Sequence, residues 1–538
     1  MKFKSLLLIL FLSFNYFVSK GQNLSFTTKL PIVYINTNGE NILDDPRILA
    51  KMEIVWNEDG VENSTSDSHN HFNGDVKVEV RGSSSQMFPK KSYGFELKDE
   101  LEQDMDFPLL GMPEEEDWIL YAPYTDKSLI RNMLTFTLAS QISNNYVPRG
   151  KFVELFLNEK YEGVYVLMEN IKRDSVRIDI AKLKIDDIAG EDLTGGYIVK
   201  VDKTTGGSGD GWYSDFFNKP ESRTFYQYEY PKAGEIQNQQ KEYIEEYINE
   251  FESAVFNEEF DPETGYSSYI NPESFIDYII SNEISKNVDG YRLSTFLYKD
   301  KNDKLNAGPL WDFNLGYGNA NYYNGWETSG LQLYANLGDD NWQNPFWWKG
   351  IMLDPFFTHP LKCRWELLRE NELSNQRIIE VTDSLVSLLT PASVRNFERW
   401  PILDQWVWPN YFVGDTYLKE INWLKDWIRE RLQWLDFALP GDCTVDPLDT
   451  INLAGFTSVL YPNPFSSKLQ LRIESDSNLT VQLQLFNSGG QLVYKQEHSV
   501  TQGLNEIKIS ADKLGKGVYV CRLIKGETEV AVSKVVKF

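Results

Sequence analysis

Two aspartates set the chemistry open to this chain. Asp289 lies in Asn287-Val288-Asp289-Gly290, and Asp312 follows 23 positions later in Trp311-Asp312-Phe313-Asn314. Each comes just after an apolar segment that buries its own backbone and leaves the carboxylate at an edge, and the run between them is hairpin-like. One such carboxylate can accept a hydroxyl proton while the other, past a β-hairpin, holds the metal that bridges nucleotide phosphates. That layout is one for phosphoryl transfer, and it works only if the two carboxylates converge.

The flanking elements suit the task. Asn271-Pro272-Glu273 predicts a helix start, with Asn able to cap, Pro suited to the first turn and Glu complementing the dipole. Its buried stripe is Phe275, Ile276, Ile279, Ile280 and Ile284, and its end near Asn287 delivers Asp289 into a loop. Ser294 opens a predicted strand to Lys299, Lys301–Lys304 turns, and Leu305–Leu310 leads back to Asp312. Upstream, Arg81-Gly82-Ser83-Ser84-Ser85 follows the strand Val76–Val80. Small residues there let backbone N–H groups approach phosphate oxygens, and Lys90 or Lys91 offers a point charge. An ordinary turn with solvated lysines explains the same pattern. Glu169-Asn170 ends the strand Gly163–Met168, where a kinase presents the edge that bonds an adenine. Aromatics crowd Tyr317–Trp348, and core packing explains them better than stacking on a sugar or peptide.

Around this middle the chain divides. At 538 residues it exceeds one ordinary domain. Strands Pro31–Ile35 and Val76–Val80, the hairpin Phe152–Met168 and an inserted helix over Lys127–Ile142 predict a strand-rich lobe. Helices over Lys241–Phe256, Trp365–Leu389 and Tyr417–Phe437 follow. Pro440-Gly441-Asp442 opens a linker to about Asn452, and alternating Leu469/Leu471/Ile473, Val481/Leu483/Leu485 and Val518/Val520 predict a small all-β sandwich. Residues 1–21 have the charged start, short apolar run and small residues of a signal peptide; the apolar run is short of the roughly 20 residues that span a bilayer. No later segment is long and apolar enough to span one either, so the mature chain is expected to have no transmembrane helix.

A net charge of −26 argues against nucleic-acid binding, which needs clustered Lys and Arg. Any phosphate site must therefore be local. Four histidines and no G-x-S-x-G leave a Ser–His–Asp hydrolase little support, and 79 acidic residues are too many to single out a glycosidase pair. Three cysteines make neither a disulfide framework nor a zinc motif; whether Cys363 and Cys443 pair is left open by the sequence.

Several of these stretches together resemble the CotH family of spore-coat-type secretory kinases. They are Arg81–Ser85 with Lys90-Lys91-Ser92-Tyr93, Asp126–Asn132, Gly163-Val164-Tyr165 with Glu169, Val288–Tyr291 and Gly308–Phe313. The resemblance implies an α+β, two-lobed atypical protein-kinase-like domain over 30–438. It also implies ATP- and magnesium-dependent phosphorylation of Ser or Thr on exported protein. In that scheme Asp289 is the catalytic Asp and Asp312 the metal ligand, with Ser294 and Asn314 beside it. Arg81, Ser83, Ser84, Lys90, Lys91 and Glu169 then hold the nucleotide. Ser294 stands where a metal-binding Asn is expected, and Asn314 where many members carry a second Asp. Both substitutions weaken the attraction for a hard cation, so a kinase-like binding or assembly protein of low activity is the alternative.

After a linker at 439–454, the last unit (455–538) is similar to the type A sorting domain of the type IX secretion system. The match rests on Leu460-Tyr461-Pro462-Asn463-Pro464-Phe465, Gly489-Gly490, Gly517-Val518-Tyr519 and the basic end Lys534–Phe538. It implies export by that machinery to the cell surface or medium, as in Bacteroidetes.

Overall fold

The computed structural model describes residues 25–204, 209–216, 223–443, 456–461, 465, 468–475, 477–487, 490–510, 513–526 and 528–537. The expected signal peptide, most of the linker, Pro462-Asn463-Pro464 and Gly489 lie outside the described residues.

The strand-rich part contains β1 (Thr27–Thr28), β2 (Ile32–Asn36), β3 (Ile48–Val55), β4 (Asn63–Ser64), β5 (Phe72–Arg81), β6 (Ser92–Lys98) and β7 (Asp117–Tyr121). After helix α1 (Arg131–Ile142) come β8 (Gly150–Leu157) and β9 (Lys160–Glu169). Seven of these strands close a barrel in the order β2-β3-β5-β6-β7-β9-β8, sealed by parallel pairing of β2 with β8; β1 and β4 form a separate antiparallel pair. Strand alternation explains how one wall serves two cores. Trp118, Leu120, Tyr165, Leu167, Val153 and Leu155 fill the barrel, whereas the intervening Ile119, Val164, Val166, Met168 and Phe152 pack against α1 and the helical half. Burial on both faces is why Gly163–Met168 reads as an unbroken apolar run.

A five-stranded antiparallel sheet comes next, built from β10 (Tyr197–Val201), β11 (Gly211–Tyr213), β12 (Phe225–Tyr230), β13 (Thr295–Lys299) and β14 (Asn306–Ala307) in the order β11-β12-β10-β13-β14. The expected hairpin between the two aspartates is therefore present, with only Leu297↔Ala307 and Tyr298↔Asn306 in register. Helices α2 (Asn238–Phe256) and α3 (Pro272–Ser285) form at the expected stripes, and all five apolar stripe residues of α3 are buried. Asn271 makes no side-chain cap; its amide donates instead to Asn306 Oδ1 at 2.9 Å. Pro272 starts the helix and Lys286, left-handed at φ 44°, ends it.

After α4 (Phe346–Ile351), the single helix expected over Trp365–Leu389 is two, α5 (Pro355–Glu370) and α6 (Asn375–Arg399). Asn371 leaves helical geometry at φ −129°, ψ −101°, and Ser374 Oγ caps the new start by accepting from Arg377 N. The apolar periodicity runs across the break because both helices face one core. Helix α7 (Tyr417–Ala438) closes this half. Cys363 on α5 is disulfide-bonded to Cys443, and Cys521 is free and buried.

The C-terminal unit consists of β15 (Phe456–Tyr461), β16 (Lys468–Ser475), β17 (Leu479–Asn487), β18 (Leu492–Val500), β19 (Gly503–Ser510), β20 (Gly517–Lys525) and β21 (Thr528–Lys537). They form antiparallel sheets β15-β16-β19 and β18-β17-β20-β21 around one core of its own. The chain is thus a mixed α+β body with a β-rich C-terminal unit.

Candidate functional site

A cleft of about 1260 Å³ opens between the end of β5, the end of β10 and the loops that flank β13 and β14. It brings together Arg81, Ser83, Ser84, Lys90, Asp289, Ser294, Asp312 and Asn314. Lys91 and Glu169 are not among its walls.

The loop after β5 turns at Gly82, whose φ of +103° disfavours any side chain and whose missing Cβ leaves room for Ser85. Lys90 reaches the wall, but its ammonium is turned into the protein. It donates to Val164 O at 2.6 Å and Asn396 Oδ1 at 2.9 Å, lies over the Tyr165 ring, and burial holds it well below the usual lysine range. Lys90 thereby pins β9 to α6. Lys91 donates to Gln86 O. The Glu169 side chain is fully buried and accepts from Tyr146 Oη, Arg149 N and the Arg149 guanidinium, which closes the barrel end, while its neighbours Met168, Asn170 and Ile171 line the cleft.

Asp289 sits in the turn after α3. Gly290 follows because a Cβ there collides with the Asn282 side chain. Arg292, 4% exposed, donates to Asp289 Oδ1 at 2.7 Å, to Asp340 Oδ2 at 3.0 Å and to Trp342 O at 2.8 Å, with its guanidinium over Tyr323. Asp289 is left in one orientation, with Oδ2 unbonded among the described residues.

Asp312 comes from the other side, at φ 59°. Asn287 donates to Asp312 O at 3.1 Å, and Asn132 on α1 accepts from Phe313 N at 2.7 Å. Arg131 donates to Gly316 O and is itself held by Asp126, which also accepts from Arg131 N at the start of α1. The Asp126–Asn132 stretch is thus the clasp that fixes the Asp312 loop. The carboxylate has no hydrogen-bond or ion-pair partner among the described residues. Water reaches it, yet cleft walls surround it, and this desolvation together with the charges of Asp289 and Asp202 pushes its carboxyl up to about 6 against the pull of Arg81 and Lys203. Burial raises the Tyr322 phenol, and both Asp289 and Asp312 raise it further. Both carboxylates therefore act on one ring.

These residues suit a hard divalent cation. Among the described residues Asp312 is unpaired and Asn314 Oδ1 is buried without a partner, and carboxylate, amide and hydroxyl oxygens are the donors magnesium takes. Asp202, Lys200, Lys203, Arg292 and Asp340 line the same cleft and were not evident in the sequence, and Trp342 of the aromatic stretch Tyr317–Trp348 lines it too. The alternating charges of Lys200-Val201-Asp202-Lys203 at a strand end were the available signal, obscured by 53 basic and 79 acidic residues overall.

Residues 78–435 match the family model for the CotH kinase protein, and residues 459–537 that for a secretion system C-terminal sorting domain. The first match spans well over half of the chain, which belongs to the CotH kinase protein family. The sorting domain makes it a secreted or cell-surface protein and implies the type IX secretion machinery as a partner. No helix among the described residues is long and apolar enough to cross a membrane. No curated protein matched.

Among solved structures, dimeric latent PorU from Porphyromonas gingivalis is 22% identical over 16% of this chain and 10% of its own, with a TM-score of 0.15. This chain thus spans about a tenth of that one. A putative beta-galactosidase from Bacteroides fragilis is 16% identical over 15% of each chain, with a TM-score of 0.11. The alkylpurine DNA glycosylase AlkC of Pseudomonas fluorescens, bound to DNA containing an abasic site analog, is 12% identical over 37% of this chain and 68% of its own, with a TM-score of 0.12. Overlaps this small carry no argument about fold or function.

Proposed function

We propose that the cleft binds ATP with magnesium and transfers the γ-phosphoryl group to a Ser or Thr hydroxyl of an exported protein. In this reading the barrel side and the helical side are the two lobes of an atypical kinase, and the C-terminal sheets are a sandwich that serves export. The carrying observation is that Asp289 and Asp312, the latter unpartnered among the described residues, line one cleft with Arg81. Asp289 Oδ2, the free oxygen, receives the hydroxyl proton. The acceptor oxygen bonds to the γ-phosphorus as the bond to the bridging oxygen breaks, and ADP leaves. Asp312, Asn314 and Ser294 are the ligand set for magnesium, which when bound neutralises charge on the phosphate oxygens. Backbone N–H groups at Ser83 and Ser84 supply neutral donors, while Lys90, Lys91 and Glu169 serve the scaffold.

The test is incubation of the chain with γ-labelled ATP, Mg2+ and secreted proteins. Label is expected on Ser or Thr, and Asp289→Asn is expected to lower transfer by roughly 10²–10⁴-fold. A wild type that transfers nothing, or an Asp289→Asn variant as active as wild type, overturns the reading. A nucleotide-binding assembly protein of low activity is the second reading. It is favoured by the hydroxyl of Ser294 and the amide of Asn314 standing at metal-ligand positions, and intact ATP binding without transfer would single it out.

A further inference from the structure

We propose that Arg81 and Lys203, one from each side of the cleft, are the cations that grip the polyphosphate of the nucleotide. This rests on the ATP reading above and replaces the lysine pair that the sequence suggests for the role.

A triphosphate brings about three to four negative charges into a cleft already lined by Asp44, Glu79, Asp202, Glu229, Asp289, Asp312 and Asp340, in a chain of net charge −26. Binding there needs cations not already neutralised. Five basic side chains line the cleft: Arg81, Lys90, Lys200, Lys203 and Arg292. The Lys90 ammonium is bonded inward to Val164 O and Asn396 Oδ1. Arg292 is bonded to Asp289, Asp340 and Trp342 O. Lys200 lies 3.6 Å from both Asp202 and Glu229, over the Phe296 ring. Arg81 and Lys203 remain, and neither side chain has a hydrogen-bond or ion-pair partner among the described residues.

Arg81 ends β5 with its guanidinium 5.8 Å from the centre of the Trp311 ring, next to Asp312 in sequence. A guanidinium so placed presents a planar fork of N–H donors, which suits two phosphate oxygens at once. Lys203 follows the end of β10, where its own N–H donates to Asp202 Oδ1 at 2.8 Å and its carbonyl accepts from Gln227. The backbone is fixed and the ammonium is left as a point charge. A polyphosphate held by both ties β5 of the barrel to β10 of the five-stranded sheet, so the grip spans the cleft.

The experiment is isothermal titration calorimetry on the full chain with three probes: magnesium ATP, magnesium tripolyphosphate and adenosine. Lys203→Ala and Arg81→Gln are each expected to weaken the two phosphate probes by roughly 10- to 100-fold and to leave adenosine unchanged. Lys203→Arg, which keeps the charge, is expected to stay within about threefold of wild type. Lys419→Ala, the same charge change at an exposed residue paired with Asp415, is expected to have no effect. Unchanged phosphate binding in Lys203→Ala overturns the proposal, as does equal loss of all three probes, or a larger loss from Lys91→Ala. If the wild type binds tripolyphosphate with the expected losses but ATP no tighter and adenosine not at all, the grip stands and the nucleotide reading falls. If ATP binds and Lys203→Ala binds it equally well, the nucleotide reading stands and the grip falls. A wild type that binds neither phosphate probe overturns both.

Discussion

Asp312 carries a charge that its own surroundings oppose. Its carboxyl is raised to about 6 by the desolvating cleft walls around it and by Asp289 and Asp202, whereas an unfolded chain titrates near 3.9. The folded state therefore binds the extra proton between these values, and the stability present at pH 4 is lost as pH rises through 6. Asp312→Asn removes the opposed charge. Above pH 6 it is expected to be more stable than wild type by on the order of 1 kcal/mol, discounted because water reaches the side chain, and at pH 4 no different. Urea midpoints at the two pH values check this. The same variant is expected to lose magnesium-dependent ATP binding, the usual exchange of stability for a strained site.

Arg292 acts through Asp289. Arg292→Gln is expected to lower kcat by about 10²-fold with little change in KM for ATP. Arg292→Lys recovers little, since an ammonium cannot reproduce the planar fork that bridges Asp289, Asp340 and Trp342 O. Steady-state rates decide it, and a loss confined to KM would contradict the positioning role.

Helix α3 carries the Asp289 loop, and its fixation depends on ties the sequence only partly shows. Glu283 and Arg431 are both fully buried. Arg431 donates to Glu283 Oε2 at 2.8 Å and to Glu283 O, Thr328 O and Gly330 O, while Glu283 also accepts from Gln332 N and Leu333 N. Arg431→Met strands the Glu283 charge and is expected to cost about 3–5 kcal/mol, measured as a lowered urea midpoint. Lys286 adds a second tie, donating to Asn324 O, Glu327 O and Ser329 O.

The apolar stripes of α1, α2, α3 and α7, the hairpin β8–β9 and the Asp289–Asp312 spacing were legible because local periodicity carries them. The barrel closure was not, because pairing β2 with β8 joins segments about 120 residues apart and leaves no local trace. The break between α5 and α6 escaped for the opposite reason: one shared core keeps the apolar rhythm across it. Lys90 and Glu169 looked functional by position beside a loop and a strand end. Their polar atoms are satisfied by Asn396 and Arg149, partners 306 and 20 residues away. Lys203 went unread because a lone lysine has no pattern until its neighbours are known to be paired.

Among the described residues, the part that holds the cleft and the β-rich C-terminal part have separate cores. The disulfide between Cys363 and Cys443 fastens the first residues of the linker to α5. A chain ending after Cys443 is therefore expected to fold and to bind magnesium ATP with affinity within about twofold of the full chain, yet to be retained inside the outer membrane when produced in a type IX-competent cell. Fractionation and calorimetry check the two halves of that statement. Surface display of the truncated chain would contradict the assignment of export to residues 459–537.

The most direct measurement is an anomalous-difference map from crystals grown with Mn2+ and a non-hydrolysable ATP analogue. The expected result is a metal peak at ligand distance, about 2.0–2.3 Å, from an Asp312 carboxylate oxygen, with the γ-phosphoryl group facing Asp289. A peak only at the acidic group Asp106, Glu115 and Glu116, or no peak in the cleft with the analogue bound elsewhere, would contradict it.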